Sequence, residues 1–220
     1  MRINRIILLI VLSTLYLSTW AQPRLRRPEV YMGAHAGAMA SYVLFKPSID
    51  LDLLQSPLSP NGGLVFRYAG HKVCAIQVEL NYMQRGWCEM HEDKTRQYTR
   101  QLDYIEMPLL MHLYFGGQHF RGFFNLGPQI GYCFRDTEKG EKNPQYRHQY
   151  APIDHPFDWG IAAGLGCYYR TNKIGLFQIE LRANYSSGNL YDSNKTAHFS
   201  FSNPINASLN LAYMWEFKVK

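Results

Sequence analysis

The side chains best placed to do chemistry are charged ones that share a spacing. Glu79, Glu106, Glu180 and Glu216, with Arg67, Arg135 and Arg182, fall on the polar side of segments that alternate apolar and polar residues. Carboxylates and guanidiniums gathered in one interior can relay ions or protons, or they can pair and hold a shape. Taking an unpaired charge out of water is very costly, so a narrow interior favours pairing. A salt-bridged lumen network is therefore expected, with an ion path as the sharper alternative.

Histidines and acids form a second group: His91, Glu92 and Asp93 in one polar link, His148, Asp154, His155 and Asp158 in or beside another. Such residues can act as general base and orienter, or hold a metal. Neither a Ser or Cys nucleophile motif, a zinc-ligand spacing nor a phosphate-cradling glycine loop accompanies them. They are expected to be solvated loop residues, so no catalytic residue, cofactor or metal is assigned. Cys74, Cys88, Cys133 and Cys167 are widely spaced and never form a Cys-x-x-Cys pair. A disulfide is chemically permitted in an oxidising compartment. Periodicity places Cys133 inward and the other three outward, so inert thiols are expected.

These residues depend on strands for their placement. In Phe177-Gln178-Ile179-Glu180-Leu181-Arg182-Ala183-Asn184-Tyr185-Ser186 every second residue is apolar, the mark of a strand between two environments. Residues 75–82, 104–115 and 208–217 repeat the pattern, with Tyr104, Glu106, His112 and Tyr114 inward in the second. Weaker alternation covers about 30–42, 62–69, 122–135 and 157–170, which makes eight strands. Tight turns at 69–72, 116–119 and 171–173 alternate with long polar links at about 43–61, 89–98, 136–156 and 187–203. Outer-membrane barrels pair short periplasmic turns with long outer loops, and an even strand number returns both termini to the periplasm.

A soluble barrel alternates too, but three features favour lipid. The strands reach about ten residues, enough to span the hydrocarbon at a tilt. Aromatics, 15% of the chain, crowd the strand ends, with Trp87, Tyr114, Phe115, Phe124, Trp159, Tyr185, Trp215 and Phe217 as the expected girdle. The polar face is rich in charge and glycine. The fold expected is all-β, an eight-stranded antiparallel transmembrane β-barrel over 30–220. Apolar loop residues, Val43-Leu44-Phe45 and Leu51-Asp52-Leu53-Leu54, are expected to rest in the vestibule, with a partner contact at the cell surface as the alternative.

Ahead of the barrel, Met1-Arg2-Ile3-Asn4-Arg5, an apolar run from Ile6 to Leu17 and a small-residue end have the layout of a secretory signal peptide, 1–21. Its loss removes Arg2 and Arg5 and takes the formal charge from +6 to +4. Residues 22–29 follow as a periplasmic N-terminal arm, where Arg24, Arg26 and Arg27 are expected to be solvated. Secretion makes nucleic acid a poor partner.

Leu102-Asp103-Tyr104-Ile105-Glu106-Met107-Pro108-Leu109-Leu110, the turn at Gly116 and Asn125-Leu126-Gly127-Pro128-Gln129-Ile130-Gly131 resemble the PorT-like outer-membrane β-barrel family of the Bacteroidetes, a porin family. Glu79-Leu80-Asn81-Tyr82-x-Gln84-x-Gly86 and a signal ending in Ala21-Gln22 fit the same pattern, and the resemblance spans essentially the whole mature chain. It implies an integral bacterial outer-membrane protein, non-enzymatic, with a structural or assembly role linked to type IX protein secretion. Implied partners are outer-membrane lipid, the barrel-insertion machinery and secretion-system proteins. Barrels of this kind often end in an aromatic residue, whereas this chain ends Phe217-Lys218-Val219-Lys220, so Phe217 is the expected stand-in. The competing functions are a narrow porin-like channel or surface receptor, and an outer-membrane enzyme built on the loop His and Asp residues.

Overall fold

Strands whose two faces differ this sharply need two environments, and the chain supplies them by closing one sheet on itself. The computed structural model describes residues 24–46, 54–55, 58–90, 97–140, 142, 152–171, 173–188, 190–191 and 201–218. The expected signal peptide, His91, Glu92, Asp93, His148 and Leu51-Asp52-Leu53 lie outside the described residues, as do the side chains of Arg24 to Arg27.

Eight long strands make the wall: β1 Arg24–Lys46, β3 Leu58–His71, β4 Cys74–Met90, β5 Gln97–Gly116, β6 Phe120–Gly140, β7 Phe157–Arg170, β8 Leu176–Ser186 and β9 Phe201–Lys218. A short strand, β2 Leu54–Gln55, adds to the outer part of β4 through Leu54↔Glu89 and Gln55↔Cys88. Each long strand pairs antiparallel with its neighbours in sequence, and β1 pairs with both β3 and β9. The β1–β9 seam runs from Glu29↔Lys218 to Lys46↔Phe201 and closes the ring. The fold is the expected all-β, eight-stranded antiparallel barrel.

β1 starts at Arg24, earlier than the alternation indicates, so residues 24–29 continue the first strand. Its register with β3 shifts between Arg24 and Glu29. β5 and β6 also run longer than expected, pairing out to Tyr98↔Gly140. Along β5 the outward residues Ile105, Met107, Leu109, Met111, Leu113 and Phe115 are all exposed, as a lipid-facing belt requires. Beyond them Thr99, Gln101 and Asp103 continue the same ladder in polar form. Apolar contrast ends there while hydrogen bonding does not, which is why the pattern understates strand length.

Three tight turns, the start of β1 and the end of β9 lie at one rim, called here the turn end; the long links lie at the other, the loop end. Gly116 has φ +125°, a conformation costly for any other residue, as it enters the β5–β6 turn. Gly127 is needed for a different reason: a β-carbon there would lie 1.9 Å from the Leu109 carbonyl oxygen. Pairing beside this point is irregular. The β4–β5 ladder breaks between Val78↔Leu109 and Asn81↔Glu106, around Pro108, which has no N–H to donate.

Gly127→Ala is therefore expected to push β5 and β6 apart and cost about 1–3 kcal/mol, typical of overpacking. Gly117→Ala, where the nearest atom is 3.8 Å away, should be tolerated. Urea midpoints of the two variants in lipid vesicles, read by gel mobility, compare them; equal midpoints would contradict this role for Gly127.

Candidate functional site

Every second residue of each strand points into the ring, and eight strands leave an interior just wide enough for side chains to fill. The lumen is therefore where the unusual residues meet, and it is filled in layers.

At the turn end the floor is apolar and aromatic: Tyr31, Val65, Tyr114, Phe123, Tyr168 and Met214 are buried together. Beneath it Arg170 of β7 reaches both strands of the seam, with Nη1 2.9 Å from Glu29 of β1 and Nη2 2.9 Å from Glu216 of β9.

The middle layer is ionic. Arg182 donates to both oxygens of Glu79, at 2.5 and 2.7 Å, from β8 across the lumen to β4. It also donates to both oxygens of Glu180 on its own strand, at 3.1 and 2.9 Å. Arg67 reaches the same two carboxylates through amide relays. Its Nε donates to Gln77 at 2.7 Å and its Nη2 to Gln178 at 2.5 Å. Gln77 in turn donates to Glu79, and Gln178 to Glu180, at 2.5 and 3.1 Å. Two guanidiniums thus serve two carboxylates, and all four side chains are buried.

Above this, Arg85 of β4 donates to Asp158 of β7 at 2.6 Å and to Glu106 of β5, and its guanidinium lies 4.5 Å over the Tyr104 ring. Glu106 accepts a further bond from Asn184 at 2.9 Å.

The mouth closes with an apolar plug. Val43, Trp87, Leu102, Tyr104 and Cys133 from the wall pack with Leu190 and Tyr191 of the β8–β9 link, and Ile153 of the β6–β7 link covers them. Leu190 donates its N–H to the Ser202 carbonyl and accepts from the N–H of Asp154, which ties the two links together. Arg100 holds the plug at 2.7 Å from the Tyr191 hydroxyl and pairs with Asp136 at 2.5 Å.

The structure brings Arg67, Glu79, Glu180 and Arg182 into one network, sets Glu106 in the layer above and leaves Glu216 at the turn-end clasp. Four residues sit elsewhere than expected. Arg135 is outside: its side chain is 67% exposed and only 3.8 Å from Asp103. The register shifts there, with Asp103↔Arg135 followed by Tyr104↔Cys133, so Phe134 is an extra residue on β6 and the alternation is lost beyond it. Trp87 and Tyr114 belong to the interior rather than the girdle, each in step with a lumen carboxylate on its own strand, Glu79 and Glu106 respectively. Asp158 is a buried partner of Arg85 and not a solvated loop residue. The other girdle residues, Phe115, Phe124, Trp159, Tyr185, Trp215 and Phe217, point outward and are exposed.

Sequence reasoning missed Arg85 and Arg100. A count by twos from Glu79 finds Arg85, and one from Glu106 finds Arg100. Val43 lies in the plug, as expected of the vestibule, while the side chains of Leu44 and Phe45 are outside the described residues. Cys133 is buried inside and Cys74, Cys88 and Cys167 are half-buried; all four are free thiols.

A closed ring with an apolar outer belt and a charged, filled interior defines a transmembrane β-barrel. Residues 20–192 match the family described as outer membrane protein beta-barrel domain, and the chain belongs to that family. Its place is the bacterial outer membrane. The outer membrane protein OprG from Pseudomonas aeruginosa shares the fold at 14% identity and a TM-score of 0.52, over 88% of this chain and 97% of that one. Outer membrane protein W of E. coli is 15% identical, over 86% and 98% of the two chains, with a TM-score of 0.43. Ail, the attachment invasion locus protein of Yersinia pestis, is 12% identical, over 84% and 98%, with a TM-score of 0.42. No curated protein matches the sequence.

Breaking a buried pair from one side strands the other charge and typically costs about 3–5 kcal/mol. Arg182→Met is expected to lose stability on that scale, and Arg182→Met combined with Glu180→Gln, which leaves Arg67 matched with Glu79 through Gln77, should recover much of it. Urea unfolding in lipid vesicles measures both; a single variant within about 1 kcal/mol of the parent would refute the pairing.

Proposed function

We propose that this protein is a non-enzymatic, non-conducting structural component of the outer membrane, oriented with both termini in the periplasm. The observation that carries this reading is the filled lumen. An aromatic floor, two layers of paired charge and an apolar plug follow one another along the axis, with the large side chains of Arg67, Arg85, Arg100 and Trp87 all buried. An ion would have to displace Arg182 from two carboxylates and then Arg85 from two more. The porin-like alternative has no such support.

With the interior given to packing, the surface left for work is the loop end, where β4, β5 and β6 continue as paired strands past the lipid belt. A rigid platform raised above the membrane suits an assembly role. Resemblance to PorT-like proteins points that role toward protein secretion of the type IX kind, with secretion-system proteins as partners.

Purified protein in planar bilayers should stay silent across the usual voltage range; a steady unitary conductance would overturn the non-conducting reading. Deleting the gene should block export of secreted cargo while leaving the envelope intact. Unimpaired export in the deletion strain would remove the secretion role and leave the structural one standing.

A further inference from the structure

The charges of the described residues are sorted along the barrel axis. Each tight turn carries a cation at or beside it: Lys72 between β3 and β4, Arg121 at the start of β6, Lys173 between β7 and β8. Arg24, Arg26 and Arg27 open β1 at this same rim, and Lys218 ends β9 there. Against them stand two carboxylates, Glu29 and Glu216, and both are already held by Arg170. Among the described residues, eight Lys and Arg against two Glu leave the turn end at +6. The lumen is close to neutral, with Arg67, Arg85 and Arg182 against Glu79, Glu106, Glu180 and Asp158. Among the described residues at the loop end, Arg100, Arg135, Lys139 and Lys142 stand against Asp103, Asp136, Glu138 and Asp154, which makes that end neutral. Among the described residues all of the net positive charge therefore sits at one rim.

We infer that the turn end is a docking surface for the anionic headgroups of phospholipids in the leaflet that borders it. The height is right for lipid. Exposed Phe115, Phe120, Tyr169 and Phe177 flank the turns on the outer surface, where aromatic side chains meet the headgroup layer. Lys72 and Lys173 are exposed beside them, with no carboxylate partner among the described residues. A cation at an anionic membrane surface gains attraction that falls off within a Debye length, so the cations need only stand near the phosphates. The family match and the fold assign the barrel to the membrane; the charge sorting adds which lipid it selects and at which rim.

The test uses the mature protein folded into nanodiscs of phosphatidylcholine with a minority of phosphatidylglycerol, followed by mass spectrometry of the lipids retained on gentle detergent extraction. Phosphatidylglycerol should be enriched over its bulk share by about fivefold per cation–headgroup contact at low salt, and the enrichment should fall in high salt. Lys72→Gln with Lys173→Gln, both in exposed turns, should lower it. Adding Arg24→Gln, Arg26→Gln and Arg27→Gln should bring it near the bulk ratio. Lys139→Gln with Lys142→Gln at the loop end should leave it unchanged. Heat-dependent gel mobility confirms that each variant is folded. A bulk lipid ratio around the parent protein overturns the inference, as does an enrichment that survives all five turn-end substitutions.

Discussion

Hydrocarbon offers no partner to a backbone N–H or C=O, and the rest of this structure follows from that constraint. A sheet placed there must bond every strand on both sides, so it must close. The β1–β9 seam meets the requirement, and Arg170 holds the two seam strands together at the turn end through Glu29 and Glu216. Closure with eight strands then sets the inner diameter. Side chains that alternate toward the axis have room for one another and little else.

The lumen composition is a consequence. Charges inside a narrow ring must find partners, and here they do so across the barrel rather than along a strand alone. Arg182 joins β8 to β4, Arg67 joins β3 to β8 through Gln178, and Arg85 joins β4 to β5 and β7. Each is a strut between walls that share no ladder or only one. Replacing such pairs with apolar side chains need not weaken a protein. Their value is directional: every strut is satisfied in one register only, and a slip by one residue would turn it toward lipid. The ionic layers thus fix which residues of distant strands face each other.

Much of this was legible in the sequence where alternation is clean. β8 displays Gln178, Glu180 and Arg182 on one face without ambiguity, and the inward placement of Glu79 and Glu106 follows equally directly. The pairing itself was not legible, because which carboxylate meets Arg182 depends on the stagger between β8 and β4, and no local pattern encodes that. Arg135 was misplaced because one extra residue at Phe134 reverses the parity of all that follows, and a bulge in a polar stretch has no apolar contrast to betray it. Trp87 shows a different failure. An aromatic residue near a strand end reads as girdle by type, although the count from Glu79 places Trp87 inside, as the alternation of β5 already does for Tyr114. Asp158 was hidden by its neighbours, since His155 and Asp154 beside it are exposed loop residues.

The most direct measurement of a sealed, charge-paired interior is hydrogen exchange of the arginine side chains, followed by NMR in lipid nanodiscs. The Nε–H groups of Arg67, Arg85 and Arg182 should exchange with solvent far more slowly than that of Arg135, which stands in water on the outer wall. Exchange of all four at the same rate would mean that water threads the lumen, and the account of a filled, load-sharing core would be wrong.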